Sequence, residues 1–264
     1  MSNGPITFVR VPAARGWEWL VRAHRLFAAY RAAWMLLTLG YLIVVWSISA
    51  LGIVGAVVAT ILKPVFGVGV LAAAWSQEKG ERPQLQHLFF GFRTNLRALV
   101  PVGVVYLGGL LVALQLGSTL DGGALRRLLL TGGSLQEAVQ TPGFDGAFVA
   151  TFLAAVPTLL AVWFAPALVV FQDHGAWRAL RASFQAALVN LAPVLVFSMS
   201  VFLFAGILPS LLALVLELVG GQAGLIAGRL LAGVVLLAVF ALTQIADYVI
   251  YRDLFHHGET LGPE

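Results

Sequence analysis

The chain has 264 residues, of which 60% are hydrophobic and 11% are charged, and its net charge is +4. Soluble domains are about 45–50% apolar and about 25% charged, so this chain lacks the polar surface that a water-soluble globule needs. The composition excludes a soluble enzyme, a nucleic-acid-binding domain and a disordered protein, and it predicts an integral membrane protein.

Residues 1–31 are predicted to form a cytoplasmic N-terminus with an amphipathic helix at the membrane interface. They carry five arginines and no apolar core of the kind that a secretory signal requires. Trp19, Ala23 and Phe27 recur at helical spacing, and most of the basic side chains fall elsewhere on the helix. A basic helix with aromatic residues on its apolar side is expected to lie in the plane of the lipid headgroups.

Six apolar stretches follow, and each is long enough to cross about 30 Å of hydrocarbon. They are predicted to be transmembrane helices, because lipid offers no partner to open backbone groups. The fold class is therefore all-α, a polytopic membrane protein with a transmembrane domain over residues 32–250 and a cytoplasmic tail over 251–264. The predicted spans are 32–50, 54–75, 98–117, 147–171, 190–217 and 223–250.

The basic residues of the connecting segments collect on one predicted side of the membrane. They are Arg10, Arg15, Arg22, Arg25 and Arg31, then Lys79, Arg82, Arg93 and Arg97, then Arg178 and Arg181, and finally Arg252. Positive-inside asymmetry places both termini in the cytoplasm and residues 118–146 outside. In that outer segment, Ser134 and Glu137 fit a capping box, which predicts one short helix ending near Pro142.

Matches at an offset of 95 residues predict an internal repeat. Gln77-Glu78-Lys79-Gly80 corresponds to Gln172-Asp173-His174-Gly175, and Asn95 corresponds to Asn190. Each copy is expected to run from a span through an amphipathic segment into the next span, with the glycine in the left-handed conformation that ends a helix.

Glu78 and Asp173 lie near predicted helix C-termini, where the helix dipole disfavours an anion. We therefore expect each carboxylate to have a basic partner, and two interpretations stay open, a salt-bridged hinge on the cytoplasmic face and a site for a ligand or partner. The partners expected from the sequence are Arg93, Arg97, Arg178 and Arg181.

A loose sequence resemblance covers most of the chain. It rests on the stretch from Ala165 to Gly175, on Ala179-Leu180-Arg181-Ala182-Ser183 and Asn190-Leu191, and on the final Tyr251-Arg252-Asp253. These segments resemble the uncharacterised YciC-like inner-membrane proteins of proteobacteria, and more closely a betaproteobacterial set of six-span proteins. The resemblance implies a six-helix inner-membrane fold and carries over no activity or catalytic residue.

Ionisable side chains within the spans are costly and are therefore functional candidates. Lys63 lies near the middle of the second span, directly before Pro64, whose ring removes the donor for a carbonyl one turn earlier. Lys63 is interpreted either as a proton- or anion-handling group or as a lysine that snorkels or pairs with a neighbour. Asp247, near the inner end of the sixth span, is expected to pair with an arginine of an interfacial helix.

Gly220, Gly224 and Gly228 form a small-residue ridge entering the sixth span. Such ridges let helix backbones approach closely, and we expect this one to contact the fifth span rather than a second copy of the chain.

The sequence contains no cysteine and no motif of a metal site, phosphate-binding loop or catalytic triad, so we predict a protein that is not an enzyme and uses no cofactor or metal. Two classes of function remain. The first is a non-catalytic role in envelope or lipid homeostasis, or as a scaffold, with anionic lipid headgroups as partners. The alternative is a small transporter or channel that uses Lys63 and polar groups such as Gln115 and Gln244. A protein partner is possible in either class, and nucleic acid is not expected.

Overall fold

The computed structural model describes residues 4–256, and every regular element in that range is helical. These residues form eleven α-helices, one 3-10 segment, Leu85–Arg93, and one π-helical segment, Phe202–Ile207. The helices are α1 (Arg15–Ala29), α2 (Arg31–Ser49), α3 (Gly52–Glu78), α4 (Leu96–Gly117), α5 (Ala124–Thr131), α6 (Leu135–Gln140), α7 (Phe144–Trp163), α8 (Ala165–Phe171), α9 (Ala176–Val189), α10 (Leu191–Val201) and α11 (Leu208–Phe255). Of the predicted tail, 251–255 belongs to α11, and 257–264 lies outside the described residues.

Within residues 4–256, five helical stretches are long and apolar enough to cross a membrane. Many of their large apolar side chains are exposed, including Trp46, Leu218 and Val219. Apolar surface on this scale is stable only in an apolar environment, so the all-helical membrane class is confirmed. The five stretches are Arg31–Ser49, Gly52–Glu78, Leu96–Gly117, Phe144–Phe171 and Leu191–Phe255.

The last of these stretches is broken at Gly221, whose φ of 54° and ψ of −133° are not helical. A Cβ atom added to Gly224 would lie 1.8 Å from the carbonyl oxygen of Leu216, and one added to Gly228 would lie 3.2 Å from the Cα of Ala213. Residues eight apart along a straight helix are separated by about 12 Å, so the chain reverses at Gly221 and the two limbs pack together.

Of the predicted ridge, Gly224 and Gly228 make this close contact between the limbs. Gly220 is exposed and would meet no atom within 4 Å. The close approach is thus within one chain, and it depends on glycine because a side chain at Gly224 would strike the opposite backbone.

The described residues fall into two compact units, of which the first comprises Val45–Val65 and Thr94–Gln185. Its helices α4 and α7 pack along each other through small residues. A Cβ atom on Gly109 would lie 2.1 Å from Thr158 Oγ1, and one on Gly117 would lie 1.9 Å from Thr151 Oγ1. Glycine at these two positions lets the backbones approach more closely than any larger residue would.

The segment between α4 and α7 contains two short helices, one more than the sequence predicted. Helix α6 begins as expected, with Ser134 Oγ accepting from the backbone N–H of Glu137 at 3.4 Å. Helix α5 was missed because the side chain that caps it, Asp121, lies two residues before the N-cap residue Gly123. Asp121 accepts from the backbone N–H groups of Gly123 at 2.9 Å and Leu125 at 2.6 Å.

The two copies of the predicted repeat differ in local structure. Gly80 has the expected left-handed conformation, with φ of 87°, but Gly175 does not, and Asp173 takes a φ of 53° instead. The segment after Gly80 is the 3-10 turn Leu85–Arg93, whereas the segment after Gly175 is the α-helix Ala176–Val189. The expectation of equivalent glycine turns was therefore wrong, and the sequence match does not extend to backbone conformation here.

The second unit comprises Gly4–Val44, Phe66–Arg93 and, among the described residues, 186–256. In this unit α1 packs against α10 and α11. Trp19 and Ala23 are fully buried, and a Cβ atom on Gly16 would lie only 2.2 Å from the carbonyl oxygen of Pro193. The apolar face of α1 is therefore covered by protein, where the sequence had suggested lipid headgroups.

Candidate functional site

A buried asparagine fixes the segment that precedes α1. Asn190 has no exposed surface and lies directly before α10. Its Oδ1 accepts from the backbone N–H of Val11 at 2.9 Å, and its Nδ2 donates to the carbonyl oxygens of Val9 at 3.0 Å and Ala186 at 2.9 Å. The backbone N–H of Val9 also donates to the carbonyl oxygen of Leu254 at 2.9 Å. These bonds attach the N-terminal segment to the start of α10 and to the end of α11.

A buried carboxylate near the end of α11 holds α1 in place. Asp253 is 9% exposed, and its Oδ2 accepts from Trp19 Nε1 at 2.8 Å. Arg15 Nε lies 3.2 Å from Oδ2, with the geometry of an ion pair rather than a hydrogen bond, and Arg22 lies 3.6 Å from Oδ1. A buried carboxylate is costly unless it is paired, so these contacts explain how Asp253 is tolerated.

Glu18 extends this network on the exposed side of α1. Arg15 donates to its carboxylate at 2.6 Å, and Arg22 lies 3.7 Å from it. The hydrogen bond from Arg15 lowers the pKa of Glu18. The same bond raises the pKa of Arg15 against the opposing effect of burial, and the nearby charge of Asp253 raises it further. Both side chains therefore carry their charges at neutral pH.

Glu78, the last residue of α3, has its basic partner on α11. Tyr248 donates its hydroxyl to Glu78 Oε2 at 2.7 Å, and Arg252 forms an ion pair with the same oxygen. The expectation of a basic partner holds, but Arg252 takes the place of the four arginines that the sequence suggested. The sequence separation of 174 residues explains why local spacing did not reveal it.

Gln77 was missed as a structural residue, although it is part of the Gln-Glu-Lys-Gly motif. Its side chain is 8% exposed, accepts from Trp34 Nε1 at 2.7 Å and donates to the carbonyl oxygen of Leu26 at 2.8 Å. It thereby joins the end of α3 to both α1 and α2. The only sequence signal was an amide at the end of an apolar helix, where burial without partners would be unfavourable.

Some of these side chains line a cavity of about 370 Å³ in the second unit. Three guanidinium groups, two carboxylates, an imidazole and two apolar side chains contribute to its wall. The lining residues are Arg22, Arg25, Leu26, Glu78, Val249, Arg252, Asp253 and His256. An excess of arginine over carboxylate makes this cavity suited to an anion rather than a cation.

The other predicted site residues lie elsewhere. Asp173, Arg181 and Asn95 belong to the first unit, where Arg181 is exposed on α9 and Asn95 is half-buried directly before α4. Asp247 is half-buried on α11. Neither asparagine caps its helix with its side chain, but Asn190 is buried and bonds to Val9 and Val11, whereas Asn95 is half-buried.

Lys63 is exposed on α3, and its ammonium lies 5.5 Å from the centre of the Tyr106 ring. The other polar groups of the transport hypothesis also have side-chain partners of their own. Gln115 accepts from Arg126 at 2.9 Å, and Thr38 donates to Gln244 at 3.3 Å.

The chain is similar to a Burkholderia thailandensis protein named as a probable inner membrane protein, with 24% identity over 263 residues, which cover 97% of this chain and 96% of that protein. No protein-family model matches the chain, and no solved structure matches it. The similarity supports a membrane protein and does not point to the YciC-like proteins in particular.

Proposed function

We propose that this chain is a six-span protein of the bacterial cytoplasmic membrane with both termini in the cytoplasm. Its role is non-catalytic, in envelope or lipid homeostasis or as a membrane scaffold, and it binds anionic lipid headgroups through the basic surface around α1. The observation that carries the proposal is the attachment of the N-terminal segment to the end of α11.

The hydrogen bond from Val9 to Leu254 supports an even number of spans. The ring of Phe8 also lies 6.2 Å from that of Phe255, so the start and the end of the described chain meet. A chain whose two ends meet on one face of a membrane crosses it an even number of times. The reversal at Gly221 supports a division of the fifth apolar stretch into two spans, which gives the proposed number of six in place of five.

The exposed arginines around α1 support contact with anionic lipid. Arg10, Arg22, Arg25 and Arg31 are exposed in the second unit, and positive-inside asymmetry puts them on the cytoplasmic side. Each basic residue near an anionic surface contributes about 1 kcal/mol, and the attraction decays within a Debye length.

Alkaline phosphatase fusions test the topology, because the enzyme is active only outside the cytoplasm. We expect activity for fusions at Gly133 and Gly221 and none for fusions at Gly80, Gly175 and Gly258. Activity at Gly258 would mean an odd number of spans. Activity at Gly80 would contradict the proposed orientation, because it would place that turn outside the cytoplasm.

Lipid analysis tests the proposed partner. The protein is extracted with its surrounding lipid in polymer nanodiscs, and the retained lipid is compared with the bulk membrane. We expect enrichment of phosphatidylglycerol and cardiolipin over phosphatidylethanolamine. A retained composition equal to that of the bulk membrane would contradict the lipid-binding role.

A further inference from the structure

The cavity at the end of α11 has a polar wall whose arginines are not all required to neutralise its carboxylates. Asp253 accepts from Trp19 and pairs with Arg15, and Glu78 is bound by Tyr248 and Arg252. Each carboxylate thus has at least two partners without any contribution from Arg22 or Arg25.

Arg22 and Arg25 are available for a ligand. They lie three residues apart on α1, so both side chains leave the helix on one side, and both line the cavity. Arg22 pairs only at long distances, 3.6 Å from Asp253 and 3.7 Å from Glu18, and keeps 46% of its side chain exposed. Arg25 is exposed, and within residues 4–256 it forms no ion pair.

The rest of the wall narrows the class of ligand. Leu26 and Val249 provide an apolar edge beside the guanidinium groups. A volume of about 370 Å³ falls at the small end of the range of roughly 300–1,000 Å³ that is usual for ligand sites. Guanidinium groups bind phosphate oxygens in pairs, in a geometry that a single ammonium does not reproduce.

We propose that this cavity is a discrete binding site for the phosphate group of an anionic ligand, with Arg22 and Arg25 donating to its oxygens. The inference rests on the proposed function and makes it specific, since general attraction to an anionic surface needs no single arginine. Two sources of the phosphate group share this chemistry, a lipid headgroup and free phosphate.

Calorimetric titration of the full-length protein in a neutral detergent tests the proposal. The probes are dihexanoyl phosphatidic acid, dihexanoyl phosphatidylcholine and inorganic phosphate. The variants are Arg25→Gln and Arg25→Lys, with Arg31→Gln as the matched control. Arg31 is an exposed arginine at the start of α2 outside the cavity wall, so its replacement removes the same charge.

We expect phosphatidic acid to bind the wild-type protein at one molecule per chain and more tightly than phosphatidylcholine. Arg25→Gln should weaken this binding about tenfold, because a charge-assisted hydrogen bond is lost. Arg31→Gln should weaken it less than twofold, and Arg25→Lys should lie between the two. Since Arg25 and Arg31 are exposed, the variants at these two positions should unfold at the same temperature as the wild-type protein. Arg22→Gln provides a second variant of the site.

The probes separate the two sources of phosphate. Binding of inorganic phosphate that depends on Arg25 supports a free ligand, and binding of phosphatidic acid alone supports a lipid headgroup. Equal losses for Arg25→Gln and Arg31→Gln would overturn the discrete site while leaving general lipid attraction in place. Nanodiscs whose lipid has the composition of the bulk membrane would instead overturn the proposed function itself.

Discussion

The hydrogen bond between Trp19 and Asp253 gives the sharpest test of how α1 is held. Trp19→Phe removes the indole N–H and keeps an aromatic ring on the buried face of α1. Asp253 would then keep its ion pairs with Arg15 and Arg22 but lose its shortest contact, the one of 2.8 Å.

The expected cost follows from the burial of both groups. Trp19 has no exposed surface, and Asp253 is 9% exposed. A hydrogen bond to a charged group contributes about 1.5–3 kcal/mol, and the volume lost from the indole adds about 1 kcal/mol for imperfect packing. We therefore expect Trp19→Phe to destabilise the protein by about 2.5–4 kcal/mol, which corresponds to a fall of roughly 5–16 °C in unfolding temperature.

Trp17→Phe is the matched control, because Trp17 lies on the same helix but is 48% exposed. Its ring stands 5.9 Å from that of Phe204, so its loss should cost less than about 1 kcal/mol. Thermal unfolding is followed by size-exclusion chromatography of a fluorescent-protein fusion, which does not depend on tryptophan emission. Equal unfolding temperatures for the two variants would refute the argument that Asp253 anchors α1.

Three further predictions concern single side chains. Asn190→Ala should destabilise the protein by about 2–4 kcal/mol, because it leaves buried backbone groups of the N-terminal segment unpaired, whereas Asn95→Ala should cost less than about 1 kcal/mol by the same thermal assay. The lowered pKa of Glu18 means that its ion pair stabilises the fold above the ordinary glutamate pKa of about 4.3 and is lost as pH falls through the folded value; the difference in unfolding temperature between wild type and Glu18→Gln should therefore be present at pH 6 and shrink as the pH falls below about 4.3, and a difference that stays constant or grows over that fall would contradict this. Lys63→Met should leave the unfolding temperature unchanged or raise it, since a charged lysine within a span costs about 3 kcal/mol and its recorded contact is the face of the Tyr106 ring; a marked loss of stability would make Lys63 the leading site candidate.

Hydropathy and helical periodicity predicted the local features of this chain. The all-helical membrane class follows from long apolar runs, because each turn of a helix satisfies its own backbone in lipid. The helix that begins after Ser134 follows from a capping box of four residues, from Ser134 to Glu137. Both features depend on residues that are close together in the sequence, so they can be predicted from a single sequence.

Contacts between distant residues were not predictable in the same way. The partner of Glu78 is 174 residues away, and that of Trp19 is 234 residues away. The pattern of α1 indicated an apolar face but not what covers it, because lipid tails and leucine side chains are equally apolar. Matches at the offset of 95 residues likewise gave no information on backbone conformation, since Gly80 and Gly175 differ in it.

The polar side chains decide which contacts these distant segments make. Apolar packing between helices is weakly directional, and in lipid it competes with equally apolar acyl chains. A buried carboxylate or amide is different, because each arrangement that leaves it unpaired costs several kcal/mol. Asp253 and Asn190 are both buried, and between them they bind α1 and the segment before it to the neighbouring helices. The need to pair these two buried side chains therefore selects one arrangement of α1 among the many that its apolar face alone would allow. That arrangement places Arg22 and Arg25 at the cavity.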